Sequence, residues 1–181
     1  VPVQVMDGTV KALVELPSCG AVALIPAMQP AEPEYIAAVT EENPAASVTE
    51  TEDGFLMENT QIRACVNSRG EVISFILKES GREFAAEPMN RFHLYKDVPR
   101  LFDAWDIDSN YREQEVEAAV DVKVEIQSQG LEAILKVTGR ISESSYTQYI
   151  RLAADSRRLV FDTEVDWKEL HRLWKTAFPV Q

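Results

Sequence analysis

Cysteine and histidine are scarce in this 181-residue sequence, which contains two of each. Cys19 and Cys65 lie too far apart for a zinc-type pair and are too few for a disulfide framework. Neither an HExxH sequence nor a Cys/His cluster occurs, so local spacing predicts no metal site. Cys65 falls in an alternating segment and is expected to be a small buried residue, and the low cysteine usage favours a reducing cytoplasm.

Long apolar runs and an excess of basic residues are also missing. No run of about eighteen apolar residues occurs, so no membrane-spanning helix is predicted. The 18 Lys and Arg against 30 Asp and Glu give a net charge of -12. Such an acidic surface repels phosphate backbones, which argues against nucleic-acid partners but not against neutral ligands such as sugars. The seven glycines are too few and too scattered to form a phosphate-binding loop. The sequence also has no Ser/His/Asp set with a nucleophile elbow.

The two ends of the sequence favour a fragment of a longer protein. The chain starts at Val1, where no basic stretch precedes an apolar one, so no signal peptide is predicted. The last residues, 167–181, are dense in aromatic and charged side chains. A β-fold cut in this way leaves strand edges uncovered, and we expect self-association through them.

Alternation of apolar and polar residues predicts an all-β fold, an antiparallel β-sandwich whose strands each have one solvated face. The clearest strands are 120–126, 131–137, 145–152 and 159–165. Segment 72–77 alternates little, which favours burial on both faces. Only 167–174 has a spacing compatible with a helix.

Composition divides the chain into three regions. Residues 1–26 are predicted to form a small β region, with an Asp7-Gly8 turn between two strands and a further short strand at 21–25. Residues 27–52 are rich in proline, alanine and glutamate and are predicted to be a linker. Residues 53–181 carry the pattern of the sandwich.

Residues 97–108, called the Trp105 loop below, interrupt the strands with a proline, aromatic residues and aspartates. Loops on rigid sheets often carry binding sites. An indole can cover the apolar face of a sugar while carboxylates accept hydrogen bonds from its hydroxyls. The candidate substrate-binding residues are therefore Asp103, Trp105, Asp106 and Asp108. The alternative, which composition alone favours, is that Phe102 and Trp105 plug the end of the sandwich, because buried aromatic residues mostly belong to cores.

Glu169 and His171 form a second polar pair. Two positions apart on a strand, they would share one face and make a small polar site. The alternative is an ordinary exposed or hydrogen-bonded pair. The remaining histidine, His93, is expected to be structural.

Three groups of motifs, taken together, resemble the C-terminal β-domain of the family 38 α-mannosidases, in their order and spacing. The first group is Phe55–Asn59, Gly70–Ser74 and Gly81–Glu83; the second is Asn90–Pro99 with Phe102–Asp108; the third is Val165–Trp167, Glu169, His171, Leu173, Lys175 and Ala177–Pro179. The match runs from about Gly54 to the end of the chain.

This resemblance implies a mutarotase-like sandwich and retaining hydrolysis of α-mannosides with one divalent metal, usually zinc. It also implies that the nucleophilic aspartate and most or all of the metal ligands belong to an upstream α/β domain, so no catalytic residue or metal ligand is assigned here. The chain is then expected to wall the active-site cleft and to be inactive alone, with a mannoside or oligosaccharide as substrate. An autonomous carbohydrate-binding module and a purely structural docking domain are the alternatives.

Overall fold

The structure is a computed structural model of the chain, and it describes residues 3–6, 8–14, 45–102, 105–117 and 119–181. These residues form β-strands and one short 3₁₀ helix, Ser109–Glu113, which confirms the all-β prediction. The strands are β1 (Val3–Met6), β2 (Thr9–Ala12), β3 (Ser47–Thr51), β4 (Gly54–Glu58), β5 (Ile62–Asn67), β6 (Val72–Leu77), β7 (Arg82–Glu83), β8 (Arg91–Lys96), β9 (Glu115–Glu117), β10 (Val120–Ser128), β11 (Glu132–Ile141), β12 (Ser144–Ala153), β13 (Leu159–Asp166) and β14 (Arg172–Ala177). No helix in these ranges is long and apolar enough to cross a membrane.

The strands form four antiparallel sheets. A five-stranded sheet has the order β3-β4-β5-β6-β7, and a four-stranded sheet has the order β10-β11-β12-β13. A three-stranded sheet, β14-β8-β9, and the hairpin β1-β2 complete the described part of the chain. Among the described residues, strands β10 and β13 are the edges of the four-stranded sheet. Self-association through such edges stays a prediction.

The core lies where the five-stranded and four-stranded sheets face each other. Period-two alternation places every second residue inside, as along β12, where Ile150 pairs with Leu135 of β11 and with Phe161 of β13. Inward residues of the two sheets form one buried cluster, which includes Val48, Met57, Ile62, Ala64, Val66, Val72, Ala133, Leu135, Val137, Tyr146, Ile150 and Leu152. At the turn before β6, Gly70 approaches Val137 so closely that a Cβ atom would lie 2.8 Å from its Cγ1, so the two sheets are in direct contact.

Two burial predictions made for the five-stranded sheet are wrong. Val72 is buried, but its neighbour Ile73 points outward and is 40% exposed, because only one face of β6 meets the opposite sheet. Cys65 is half-buried rather than buried, since it alternates with the inward Ala64 and Val66 on β5. Partial burial is still enough to raise the pKa of its thiol.

The three-stranded sheet packs on the core through aromatic side chains. Phe92 of β8 makes edge-to-face contacts with Tyr146, at 5.1 Å between ring centroids, and with Trp174 of β14, at 4.9 Å. Burial raises the pKa of Tyr146 to about 12. Because β8 leads directly into the Trp105 loop, these contacts fix the strand from which the loop starts.

The chain ahead of the sandwich is described in part. The predicted hairpin around Gly8 is confirmed, with Val5 of β1 opposite Val10 of β2. Residues 15–44, which include the predicted strand at 21–25 and most of the predicted linker, lie outside the described residues. Residues 46–51, assigned to the end of that linker, instead form a bridge from Ala46 to Gly130 and strand β3 of the five-stranded sheet.

The segment predicted with helical spacing, 167–174, contains no helix. Residues 167–171 have no regular secondary structure, and β14 begins at Arg172. Pairing with β8, in which Trp174 lies opposite Leu94, determines the conformation of this segment. Tertiary pairing therefore overrides the local spacing of apolar residues.

Candidate functional site

The Trp105 loop carries two large aromatic side chains on the surface. Trp105 is 80% exposed and Phe102 is 62% exposed, and their rings stack with centroids 5.8 Å apart and planes inclined by 17°. The prediction that these residues plug the sandwich is therefore wrong. The aromatic contacts of the core come instead from the strand residues Phe92, Tyr146 and Trp174, which leaves the loop side chains outside.

The backbone around Phe102 holds this arrangement. The carbonyl oxygen of Phe102 accepts hydrogen bonds from the backbone N–H groups of Trp105 and Asp106, both at 2.9 Å. Phe102 itself adopts a left-handed conformation with φ of 58°. Such a conformation costs a bulky residue about 1–3 kcal/mol and is found preferentially at functional sites. The two hydrogen bonds fix the tight turn that places the indole beside the phenyl ring.

The candidate carboxylates have different surroundings. Asp106 is exposed, next to Trp105 in the chain. Asp108 is half-buried, and its Oδ2 lies 3.8 Å from Nε of the exposed Arg100. Asp103 lies outside the described residues. Trp105, Asp106 and Asp108 thus share one short stretch of the loop, on which the indole and the Asp106 carboxylate are both exposed.

Asp97, the first residue of the loop, was not among the predicted site residues. Its Oδ1 is buried and has no hydrogen-bond partner among the described residues. Its backbone N–H donates to the carbonyl oxygen of His171, at 2.9 Å, so the loop starts from a contact with segment 167–171. Only the density of aspartates in 97–108 marked this residue in the sequence.

A polar cluster lies on the outer face of the three-stranded sheet, beside both ends of the loop. Lys175 of β14 donates from Nζ to the phenolic oxygen of Tyr111, at 2.5 Å, and Arg112 donates to the same oxygen, at 3.2 Å. These two hydrogen bonds, from Arg112 and then Lys175, lower the pKa of Tyr111. His93 Nδ1 lies 2.7 Å from Oε1 of Glu115. Alternation along β8 is the signal that could have placed His93 on this face.

Residues 167–171 are not a strand, so the spacing that would place Glu169 and His171 on one face of a strand does not apply. Glu169 belongs to the hydrogen-bonded alternative: its Oε1 accepts from the backbone N–H of Glu143, at 2.8 Å, and from the hydroxyl of Ser144, at 2.9 Å. Partial burial raises the pKa of Glu169, but hydrogen bonds led by that from Ser144 outweigh it, and the pKa is lowered.

The loop presents an open surface. Two cavities in the described part of the chain, of about 460 and 310 Å³, are lined by residues outside 97–108. Among the described residues, no three His, Cys, Asp or Glu side chains are grouped so as to hold a metal ion. The described residues therefore do not fit the divalent metal that the family resemblance implies.

Comparison with known proteins identifies the relatives of this sandwich. A model of the glycosyl hydrolases family 38 C-terminal domain matches residues 57–181. The chain belongs to glycosyl hydrolase family 38. The family 38 match includes the Trp105 loop and segment 167–171, and it confirms the resemblance seen in the motifs.

Two curated relatives of this family 38 chain are alpha-mannosidases. Human alpha-mannosidase 2C1 is 32% identical over 178 residues, which cover 94% of this chain and 16% of the human protein. Mouse alpha-mannosidase 2C1 gives the same identity and coverage. The chain thus spans 16% of the length of these relatives and is similar to an α-mannosidase-type C-terminal domain.

Proposed function

We propose that this family 38 domain forms part of the wall of the active-site cleft in a retaining, metal-dependent α-mannosidase, with the Trp105 loop at the rim. Membership of the family and the similarity to proteins named alpha-mannosidase support the reaction class. The observation that carries the role of the loop is the indole of Trp105, which is 80% exposed and stacks on the ring of Phe102.

The chemistry of the loop suits a neutral sugar. The flat indole of Trp105 covers the C–H face of a mannose ring, and the carboxylate of Asp106 accepts hydrogen bonds from ring hydroxyls. Asp108, which is partly engaged by Arg100, accepts a further bond at the edge of the ring. An exposed and pre-positioned aromatic ring loses little conformational entropy when a ligand stacks on it.

The chain is proposed to bind or border the substrate without catalysing the reaction. Retaining hydrolysis needs two carboxyl groups about 5–5.5 Å apart across the scissile bond. Asp106 is exposed and Asp108 lies 3.8 Å from Arg100, so the two carboxylates are placed to contact a ligand at the surface and do not enclose a scissile bond. The nucleophile, the acid and a divalent metal, zinc by the family resemblance, are proposed to reside in an upstream catalytic domain. The chain by itself is then expected to hydrolyse no aryl α-mannoside, with or without zinc.

The test uses two exposed aromatic residues of the same chain. In the full-length mannosidase, Trp105→Ala is expected to raise KM for an α-mannoside about tenfold or more, with little change in melting temperature, because one stacked ring contributes a few kcal/mol at most. Phe178→Ala is the control, since Phe178 is also surface-accessible, at 47%, but packs on Phe161 and follows the end of β14 that is remote from the loop. An unchanged KM in the Trp105→Ala enzyme would refute the proposal.

A docking function is the second candidate, because apolar side chains other than Trp105 are also exposed near the loop. Val98, Leu101 and Leu170 are all exposed, and Leu170 reaches 82%. Contact with a neighbouring domain would cover them, as it covers apolar patches at interfaces generally. In that case Trp105→Ala lowers the melting temperature of the full-length enzyme and leaves KM unchanged.

Titration of this chain with mannose and mannobiose by NMR tests separately whether it binds sugar on its own.

A further inference from the structure

We propose that Glu169 is a positioning residue for the Trp105 loop. Its carboxylate fastens segment 167–171 to the turn between β11 and β12, and that segment holds the first residue of the loop through a backbone hydrogen bond. The consequence for substrate rests on the proposed function of the loop, whereas the structural connection can be tested without any substrate.

The first step is the contact between Glu169 and the hairpin turn. Oε1 of Glu169 accepts the N–H of Glu143 and the hydroxyl of Ser144. Ser144 is fully buried, and its Oγ also accepts the backbone N–H of Lys168, at 3.0 Å. Three hydrogen bonds thus connect two successive residues of the segment to one rigid turn, and two of them go to a charged group, which makes them stronger than neutral ones.

The second step leads from the segment to the loop. The paired register of β14 and β8 ends where Arg172 lies opposite Lys96. The hydrogen bond from the N–H of Asp97 to the carbonyl oxygen of His171 lies one residue beyond this last pair of the two strands. His171 has a left-handed backbone with φ of 52°, a conformation that persists only where neighbouring contacts impose it. The bonds of Lys168 and Glu169 are such contacts, because they fix the chain immediately before His171.

The third step concerns charge. An ionised carboxylate only accepts hydrogen bonds. The two donors at Oε1 of Glu169, from Glu143 and Ser144, therefore suit its ionised form. Among the charged groups nearby, Lys168 pairs with Asp166, at 3.0 Å, and Glu143 contributes its backbone. Because the pKa of Glu169 is lowered, the ionised acceptor is fully present above the ordinary value of 4.5, and the strength that its charge adds to these hydrogen bonds is lost as the pH falls through the folded value, which lies below 4.5.

Amide hydrogen exchange in this chain tests the connection directly. In Glu169→Ala we expect exchange of the Asp97 amide to become about tenfold faster, because its acceptor at His171 is no longer held. Exchange of the Val72 amide, which donates to Met89 in the sandwich at 2.9 Å, is expected to be unchanged. Glu164→Ala is the matched control, because Glu164 is an exposed carboxylate of the neighbouring strand β13. Unchanged exchange at Asp97 in Glu169→Ala would overturn the proposal.

A conservative variant keeps the test valid if Glu169→Ala does not fold. Glu169→Gln retains an oxygen acceptor that has no charge to lose. Protection of the Asp97 amide in the wild type is therefore expected to fall below pH 4.5 toward the level of Glu169→Gln, in which protection is weaker near pH 7 and does not change with pH. The same acid-dependent loss in both proteins would contradict a role for the Glu169 carboxylate.

Kinetics of the full-length mannosidase separate this proposal from the proposed function. If the loop lines the substrate cleft, Glu169→Ala raises KM several-fold with kcat retained, and Glu169→Gln restores most of the affinity. Faster exchange at Asp97 with an unchanged KM would uphold Glu169 as the positioning residue and refute the role of the loop in the substrate site.

Discussion

The interior of the sandwich and the Trp105 loop use similar residues in opposite environments. Leu135 is fully buried between the two large sheets, whereas Leu101 and Trp105 of the loop lie mostly in solvent. The interior side chains are held by packing from the facing sheet, and the loop side chains are held by a few backbone hydrogen bonds. The difference shows that apolar side chains are packed inside the fold in one region and are exposed at the surface in the other.

Polar side chains also have different surroundings in the interior and in the Trp105 loop. In the interior, the amide of Asn90 is buried and bonds to Gly70 O at 2.9 Å and to Gln148 Oε1 at 2.6 Å, so its hydrogen-bonding capacity is used inside the fold. In the loop, Asp106 is exposed and its carboxylate faces solvent. A buried polar group must be paired to avoid a desolvation penalty, whereas an exposed one can exchange water for a ligand hydroxyl.

The largest expected difference in the free energy of unfolding is between alanine variants of two leucines, one in the interior and one in segment 167–171. Leu135→Ala removes a fully buried side chain and should lower the free energy of unfolding by about 2–5 kcal/mol, through lost burial and the cavity left behind. Leu170→Ala removes a side chain that is 82% exposed and should change it by less than about 0.5 kcal/mol. Urea denaturation of both variants measures the contrast. Equal effects would mean that another part of the protein covers Leu170 and that the two regions are not distinct.

A smaller effect is expected for the buried amide. Asn90 has a φ of 61°, which glycine also adopts freely, so Asn90→Gly removes the side chain without adding backbone strain. Gln148 would lose a partner in the interior, and we expect a loss of about 1–3 kcal/mol in the free energy of unfolding. Thermal and urea unfolding provide the measurement. No loss would show that water replaces the amide and that this part of the interior is accessible.

The smallest effect is expected at the edge of the five-stranded sheet and depends on pH. Partial burial raises the pKa of Glu83, but hydrogen bonds from Ser74, Phe75, Ala85 and Phe84 outweigh it and lower the pKa below its ordinary value of 4.5. Because the folded value is the lower one, this carboxylate stabilises the fold above pH 4.5 and ceases to do so as the pH falls through the folded value.

Glu83→Gln should therefore be less stable than the wild type near pH 7, with the difference shrinking below pH 4.5. Glu87→Gln is the control, because Glu87 is exposed in the same region. Unfolding curves between pH 3 and pH 7 provide the comparison. A difference that does not depend on pH would assign the effect to the geometry of the amide rather than to the charge.

The sequence by itself determined the strands of the four-stranded sheet, the hairpin around Gly8 and the family. Alternation is a local property, since consecutive side chains of a strand point to opposite faces, so segments such as 120–126 and 145–152 could be recognised without a partner. The motifs of the family are also local in the chain, and the match over 57–181 follows from them.

Tertiary structure alone decided how the Trp105 loop and segment 167–171 are placed. Whether Trp105 is buried depends on what else fills the core, and whether 167–174 is helix or strand depends on pairing with β8. Glu169 meets the hydroxyl of Ser144, 25 residues away in the chain, through the way the sheets bring a turn and a connection together. Contacts between residues so distant in sequence leave no periodic signal in it, and for that reason only the fold could show them.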